Sequence, residues 1–168
     1  NMLFLWIYGD NLEEEMGHLG FLLFYLAAGL AAAGLQAFAD LGSRVPMVGA
    51  SGAIAGVMGG YLLLFPRAKV DVLFIFLIFF RIFAVPAWIV LGLWFGLQIF
   101  SGLNTPTQMG GVAYWAHAGG FVAGLVLTLP AWLRRGARDY WQATQGRPPH
   151  PGTQFPRSNI PLVPRRRD

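Results

Sequence analysis

The chain has 168 residues, of which 55% are apolar and 12% are charged, and its mean hydropathy is +0.52. This composition excludes an ordinary soluble domain, in which about 25% of residues are charged. There is no cysteine and the three histidines are scattered, so a disulfide framework is excluded and we expect neither a metal nor a cofactor. The net charge of +4 comes mostly from basic residues between apolar segments and at the carboxyl end, so nucleic acid is not an expected partner.

Five apolar stretches predict membrane-spanning helices, because about 18 or more apolar residues suffice to cross a bilayer. In chain order they are the remnant 1–9 and the segments 19–38, 48–65, 86–103 and 112–133. The first stretch is too short to cross alone, so we expect the chain to begin inside a helix. The pattern predicts an all-α polytopic membrane protein.

The segment 72–85 is apolar but is interrupted by Arg81, and Pro86 follows it. Because proline is favoured in the first turn of a helix, we predict that the fourth span begins at Pro86. Segment 72–85 would then be an interfacial or re-entrant element. The alternative is one long tilted helix from Val72 that is kinked at Pro86.

The basic residues predict the orientation in the membrane. They cluster between the third and fourth spans and after the fifth, as Arg67, Lys69, Arg81, Arg134, Arg135 and Arg138. Because Lys and Arg accumulate in cytoplasmic loops, we predict that the 66–85 connection and the carboxyl tail are cytoplasmic. The loops 39–47 and 104–111 would then face outward, and the acidic turn 10–18 would be cytoplasmic.

The composition changes near the end of the predicted transmembrane domain, 1–135. Residues 136–168 are rich in Pro, Arg, Gln and Gly, and they lack the apolar content of a core. We therefore predict a disordered cytoplasmic tail over 136–168. A solvated tail that reinforces the topology is the simplest interpretation, and binding to anionic headgroups or a partner is the alternative.

Two polar residues lie at matching depth in the outer part of the predicted bundle. Ser51 begins the third span within the run Gly49-Ala50-Ser51-Gly52, and His117 lies a few residues inside the last span. A serine hydroxyl becomes a nucleophile when a neighbouring base takes its proton, so the pair suggests a nucleophile with its base. Separately, each has a structural alternative, since small-residue motifs pack helices and a buried histidine can relay protons.

Helical spacing predicts that small residues follow each candidate along the same face of its helix. The two sets are Ser51, Ala55 and Gly59, and His117, Gly120 and Gly124. Such faces let two helices cross with their backbones close together, which would bring the hydroxyl and the imidazole within hydrogen-bond reach. The Ser51 amide, at a helix start, could face an oxyanion. Asp40 and Asp71 lie elsewhere, so we predict a dyad without a carboxylate.

These residues resemble a known family. The runs Gly49-Ala50-Ser51-Gly52-Ala53-Ile54-Ala55-Gly56 and Ala116-His117-Ala118-Gly119-Gly120-Phe121-Val122-Ala123-Gly124 look like the two signature motifs of the rhomboid intramembrane serine proteases. The amino-terminal piece, with Asn1, Gly9, Glu13 and Gly17, is similar to the family's second transmembrane helix. The similarity extends to about Arg135.

The resemblance implies a rhomboid-like bundle of which this chain holds five of the six core helices, without the first. It implies that Ser51 is the nucleophile, that His117 is the general base, and that Asn1 and the Ser51 amide form the oxyanion hole. One departure is Ala55, which stands where the family often has an aromatic residue that packs on the histidine. The helix 86–103 resembles the family's gating helix, and 102–114 has the composition of a cap.

The implied function is a serine endopeptidase of the bacterial inner membrane, whose partners are the lipid bilayer and substrates with transmembrane segments. One alternative is a non-catalytic rhomboid-like protein that binds membrane proteins, although such relatives normally lack the serine or the histidine. A proton-coupled transporter is less favoured, because we find neither an internal repeat nor further buried ionisable residues.

Overall fold

The computed structural model describes residues 1–39, 41–42, 49–76, 79–105 and 112–149. Its elements are α1 (Met2–Ala39), α2 (Ser51–Leu64), β1 (Lys69–Phe76), β2 (Phe79–Pro86), α3 (Ala87–Asn104), α4 (Tyr114–Arg134) and α5 (Arg138–Thr144). Most of the predicted loops 39–47 and 104–111, and the tail beyond 149, lie outside these ranges. The chain is a helical membrane bundle, as predicted.

Helix α1 consists of two arms that meet at Gly17. This residue has φ 72° and ψ 161°, a conformation that glycine adopts without the steric cost of a Cβ atom. The arms fold against each other, since a side-chain carbon added at Gly9 would lie 3.4 Å from the ring of Phe21. The predicted remnant at 1–9 therefore continues as a helical arm to the residue before Gly17.

Contacts at one end of the bundle fix the directions of three helices. The Arg135 guanidinium lies 2.6 Å from the Glu15 carboxylate, and the Trp141 indole N–H donates to the Leu63 carbonyl at 2.9 Å. The first arm of α1, α2 and α4 therefore all finish at this end, which we call the basic end and define by Glu15, Leu63 and Arg135. Their first turns, with Asn1, Ser51 and His117, lie at the opposite end, which we call the site end.

Helix α2 is the centre of the core. Every residue from Gly52 to Tyr61 is buried. With 14 residues and a rise of 1.5 Å per residue, α2 is about 21 Å long, shorter than a hydrocarbon layer of about 30 Å. In the described part of the chain, three helices are long and apolar enough to cross a membrane, namely α1, α3 and α4. Because α2 is shorter, at least one of its ends lies below the membrane surface.

The segment 72–85 does not form the long helix that was the alternative prediction. Strands β1 and β2 make an antiparallel hairpin in which Lys69 pairs with Pro86 and Phe74 pairs with Arg81. The single long helix from Val72 is therefore wrong, whereas the predicted helix start is confirmed, because α3 begins directly after Pro86. The segment is rich in Val, Ile and Phe, which favour strands. Open sheet edges are unstable in lipid, which favours an interfacial position for the hairpin.

The prediction of a disordered tail from residue 136 starts the tail too early. Residues 138–144 form helix α5, which packs on the basic end. The rings of Trp132 and Trp141 lie 4.8 Å apart, and the Arg67 amide donates to the Gly146 carbonyl at 2.9 Å. Disorder is therefore wrong for the described part of the tail. Its average composition obscured two adjacent aromatic residues, Tyr140 and Trp141, that pack against the bundle.

Candidate functional site

Glycines bring the backbones of α2 and α4 into direct contact. A side-chain carbon added at Gly120 would collide with the carbonyl oxygen of Gly52, and one added at Gly124 would collide with that of Gly56. The predicted bare face on α4, below His117, is therefore confirmed. It crosses α2 without intervening side chains, as small-residue faces allow in membranes.

The predicted face on α2 is partly wrong. Gly59 does contact α4, because an added side-chain carbon there would lie 3.2 Å from the Cα atom of Phe121. Ala55, however, is fully buried among the hydrophobic core residues, and the close approach is made by Gly52 and Gly56 instead. A backbone crossing this tight requires residues without a Cβ atom, which selects the two glycines over the alanine.

The crossing places Ser51 and His117 at corresponding positions of the two helices. Ser51 is half-buried and is the first residue of α2. A side-chain carbon at Gly52, the next residue, would lie 3.4 Å from the carbonyl oxygen of Ala116, which precedes His117. Among the described residues, no hydrogen bond joins the hydroxyl to the imidazole.

Two side chains of α3 hold the His117 ring. Its Nδ1 atom lies 2.8 Å from Oε1 of Gln98, and its ring centroid lies 5.7 Å from that of Trp94. With Oε1 of Gln98 as the acceptor, this contact favours the tautomer in which Nδ1 carries the proton and Nε2 keeps its lone pair. The sequence analysis compared this helix, 86–103, with the family's gating helix but assigned neither residue to the site. The signal was their i, i+4 spacing, which puts an aromatic and an amide on one helix face.

Trp94 also supplies the aromatic contact to His117 that Ala55 cannot make. The family resemblance implied an aromatic partner for the histidine from position 55, where this chain has only a methyl group. The structure supplies an aromatic ring from α3 instead. The histidine is thus flanked by an aromatic ring that comes from a different helix.

Gln36 connects the second arm of α1 to the start of α4. Its Oε1 atom accepts a hydrogen bond from the Ala116 amide at 3.0 Å. Helix starts leave their first amides without acceptors, and side-chain caps satisfy them. Sequence reasoning missed this residue, although an amide within the otherwise apolar segment 19–38 was the available signal.

We expect Gln36→Met to lower the free energy of unfolding by about 1 kcal/mol, the usual effect of losing a helix cap. The variant keeps the side-chain volume but leaves the Ala116 amide without its acceptor. Denaturant titration of the chain in micelles measures the change. Gln142→Met is the control, since this exposed side chain makes no hydrogen bond to the described residues and should change stability by less than about 0.5 kcal/mol. Equal losses in both variants would contradict the capping role.

Asn1 lies at the site end, immediately before α1. Its carbonyl accepts a hydrogen bond from the Leu5 amide at 3.0 Å, which starts the helix, and its side chain is exposed. Within the described ranges, no hydrogen bond joins the Asn1 amide to Ser51 or His117. The first arm of α1 nevertheless runs beside α2 in the same direction, with Tyr8 and Tyr61 rings 5.0 Å apart.

The described ranges contain no group of three His, Cys, Asp or Glu side chains that could hold a metal ion. Among the described residues, the polar groups at the site end include the Ser51 hydroxyl, the His117 imidazole and the side-chain amides of Asn1, Gln36 and Gln98. Together they can perform proton transfer, nucleophilic attack and hydrogen bonding to an oxyanion.

The fold and the site define a multi-pass integral membrane protein with a cluster of polar groups at one end of a helical bundle. The model of the Rhomboid domain family matches residues 1–134, so the chain belongs to the rhomboid family. It is similar to "Rhomboid protein 1, mitochondrial" of Saccharomyces cerevisiae, with 30% identity over 132 residues, which cover 75% of this chain and 35% of that protein. The chain thus spans about a third of that relative's length. No solved structure gives a significant match.

Proposed function

We propose that this chain carries the catalytic centre of an intramembrane serine endopeptidase, with Ser51 as nucleophile and His117 as general base. The supporting observations are the glycine crossing of α2 and α4, on which the first turns of both helices meet, and the contact of Gln98 with Nδ1 of the imidazole. Membership of the rhomboid family supports protease-like chemistry on substrates within the membrane.

The reaction begins when Nε2 of His117 takes the hydroxyl proton and the Ser51 oxygen attacks the carbonyl carbon of the scissile peptide bond. The Ser51 amide, at the start of α2, and the Asn1 side chain stabilise the resulting oxyanion. The protonated His117 then gives its proton to the leaving nitrogen, and the C–N bond breaks. A water molecule, deprotonated by His117, hydrolyses the acyl-enzyme ester and restores the serine.

In this proposal Gln98 orients the imidazole. It takes the place that a carboxylate occupies in a serine triad. The described side chains place no Asp or Glu against His117. A neutral amide fixes the tautomer and the ring plane but does not add a negative charge, so the centre is a dyad with an amide as positioning residue.

Substrate access follows from the length of α2 and the chemistry of peptide bonds in lipid. The short α2 allows Ser51 to lie below the membrane surface, where a transmembrane substrate can meet it. A helical substrate hides its carbonyls in internal hydrogen bonds, so it must unwind locally before attack. Substrates with small or helix-breaking residues near the cleaved bond are therefore expected.

The proposed orientation places the basic end in the cytoplasm and the site end outside. Exposed Arg67, Lys69, Arg134 and Arg138 at or near the basic end support this through the positive-inside rule. The proposed compartment is a bacterial inner membrane, whereas the name of the yeast relative assigns that protein to mitochondria. Reporter fusions after residue 168 test the orientation, and activity of a periplasmic reporter there would contradict it.

Cleavage of a reporter substrate with one transmembrane segment, by the chain joined to its native upstream sequence, tests the proposed activity. Loss of cleavage in both Ser51→Ala and His117→Ala is the expected result. Fluorophosphonate labelling that survives Ser51→Ala would overturn the assignment.

We expect Gln98→Leu to lower kcat by about 100-fold with little change in KM. Misplacing a catalytic group by about 1 Å can cost this much, and leucine cannot accept a hydrogen bond from Nδ1. Gln98→Glu keeps an acceptor oxygen at the same reach and should recover most of the activity. Steady-state cleavage of the reporter in micelles supplies both constants. Equal kcat values in the leucine and glutamate variants would show that Gln98 acts only in packing.

A further inference from the structure

A cavity of about 410 Å³ lies at the basic end, away from Ser51 and His117. Arg67, Trp88, Arg138, Trp141 and Gln142 are among its lining residues. This volume falls in the range of small-molecule sites, about 300–1,000 Å³. The lining residues come from the segment after α2, the start of α3, helix α5 and the residues just after α5, so the packing of α5 on the bundle forms one wall of the cavity.

Hydrogen bonds fix the walls of this cavity. The Arg67 amide donates to the Gly146 carbonyl at 2.9 Å, and the Trp88 amide donates to the Pro66 carbonyl at 3.0 Å. The Trp141 indole N–H donates to the Leu63 carbonyl at 2.9 Å. The three bonds join the end of α2 and the residues after it to α3, to α5 and to the residues that follow α5. The cavity is therefore preformed.

The charge of the cavity is positive. No carboxylate is among its lining residues, and within the described ranges neither the Arg67 nor the Arg138 guanidinium forms an ion pair or a side-chain hydrogen bond. Arg135, by contrast, is paired with Glu15 at 2.6 Å. Two unpaired guanidinium groups at one cavity favour an anion, and their fork geometry matches phosphate oxygens in particular.

The position of the cavity indicates which kind of ligand the phosphate group belongs to. The cavity lies where α2 ends and α3 begins, at the basic end that the proposed orientation puts at the cytoplasmic membrane surface. Trp88 is 55% exposed, and Leu93, further along α3, is 67% exposed, so an apolar surface leads away from the cavity along α3. Tryptophan is typical of the membrane–water interface, with its ring at headgroup level. A ligand with a phosphate and acyl chains would use both the cavity and this surface.

We propose that the cavity binds the headgroup of an anionic phospholipid. Arg67 and Arg138 contact the phosphate, Trp88 and Trp141 flank the glycerol, and the acyl chains follow the apolar surface of α3. Basic pockets at the cytoplasmic ends of transmembrane helices are suited to such headgroups. The site is at the opposite end from the proposed dyad and does not depend on the proposed protease function.

The full chain, purified in detergent, is titrated with short-chain phosphatidylglycerol while tryptophan fluorescence is recorded, since two tryptophans line the cavity. We expect saturable binding that weakens on the order of tenfold or more in Arg67→Gln/Arg138→Gln, because the variant loses both charge-assisted contacts to the phosphate. Arg81→Gln/Arg134→Gln is the matched control. It removes the same charge from exposed positions outside the cavity and should leave affinity nearly unchanged.

Two further titrations separate the possible ligands. Short-chain phosphatidylcholine has the same chains without net charge, and inorganic phosphate has the anion without chains. Weak or absent binding of both supports the proposal. Equal affinity for the zwitterionic lipid, equal affinity for inorganic phosphate, or equal losses in the two double variants would overturn it. Thermal unfolding of each variant without lipid checks that the arginine substitutions leave the fold intact.

Discussion

Ser51→Ala is expected to abolish reporter cleavage and fluorophosphonate labelling while leaving the bundle folded. Removing the nucleophile of a serine hydrolase typically lowers kcat by about 10⁶-fold, which takes cleavage below detection. Alanine fits the position, because Ser51 is only half-buried and its hydroxyl makes no hydrogen bond to the described residues. The measurement is gel-based labelling and reporter cleavage by the chain joined to its native upstream sequence.

His117→Ala should give nearly the same loss, because the two residues act as a unit and their effects do not add. Gly92→Ala, on α3, is the control and should leave activity unchanged, because a side-chain carbon added there meets nothing within 4 Å. If the chain cleaves no reporter and takes no label, yet binds the transmembrane segment equally well with and without the Ser51→Ala substitution, the non-catalytic alternative would replace the proposal. That outcome would leave the phospholipid site untouched.

Gly120→Ala is expected to lower both stability and activity severely, because the added methyl group would collide with the carbonyl oxygen of Gly52. Forcing a larger group into a packed interface typically costs about 1–3 kcal/mol, and contact with backbone leaves less room for relief than contact with a flexible side chain. Separating the helices also moves His117 away from Ser51, so we expect kcat to fall by about 100-fold or more. Thermal unfolding in micelles and reporter cleavage measure the two effects.

Gly96→Ala, on α3, is the matched control for this substitution. A side-chain carbon added at Gly96 meets nothing within 4 Å, so the variant should keep full activity. Its stability should stay the same or increase, because alanine is favoured over glycine within a helix by up to about 1 kcal/mol. A Gly120→Ala protein that unfolds at the wild-type temperature and cleaves at the wild-type rate would contradict the backbone crossing.

Local sequence patterns were sufficient to predict the parts of the molecule that depend on local physics. The apolar composition predicted a membrane protein, and the start of α3 after Pro86 followed from proline's preference for a first helical turn. The bare face formed by Gly120 and Gly124 followed from helical spacing and is confirmed by the crossing. In each case the relevant residues lie within a few positions of one another.

The hairpin and α5 were missed for a different reason. The Val- and Phe-rich segment 69–86 satisfied both helix and strand patterns over a short length, and pairing between its own halves decided for strands. Helix α5 has only 7 residues, too few to be stable alone, and it depends on Trp141 bonding to the carbonyl of Leu63, which is 78 residues earlier.

The sequence by itself determined the membrane class, most helix positions, the family resemblance and the candidates Asn1, Ser51 and His117. Only the tertiary structure decided which groups surround the imidazole and which glycines carry the crossing. Gln98 lies 19 residues before His117, and Gln36 lies 80 residues before the Ala116 amide that it caps. The residue pattern of a single helix cannot predict such pairings, because they join separate helices. The packing geometry of the whole bundle selects the partners.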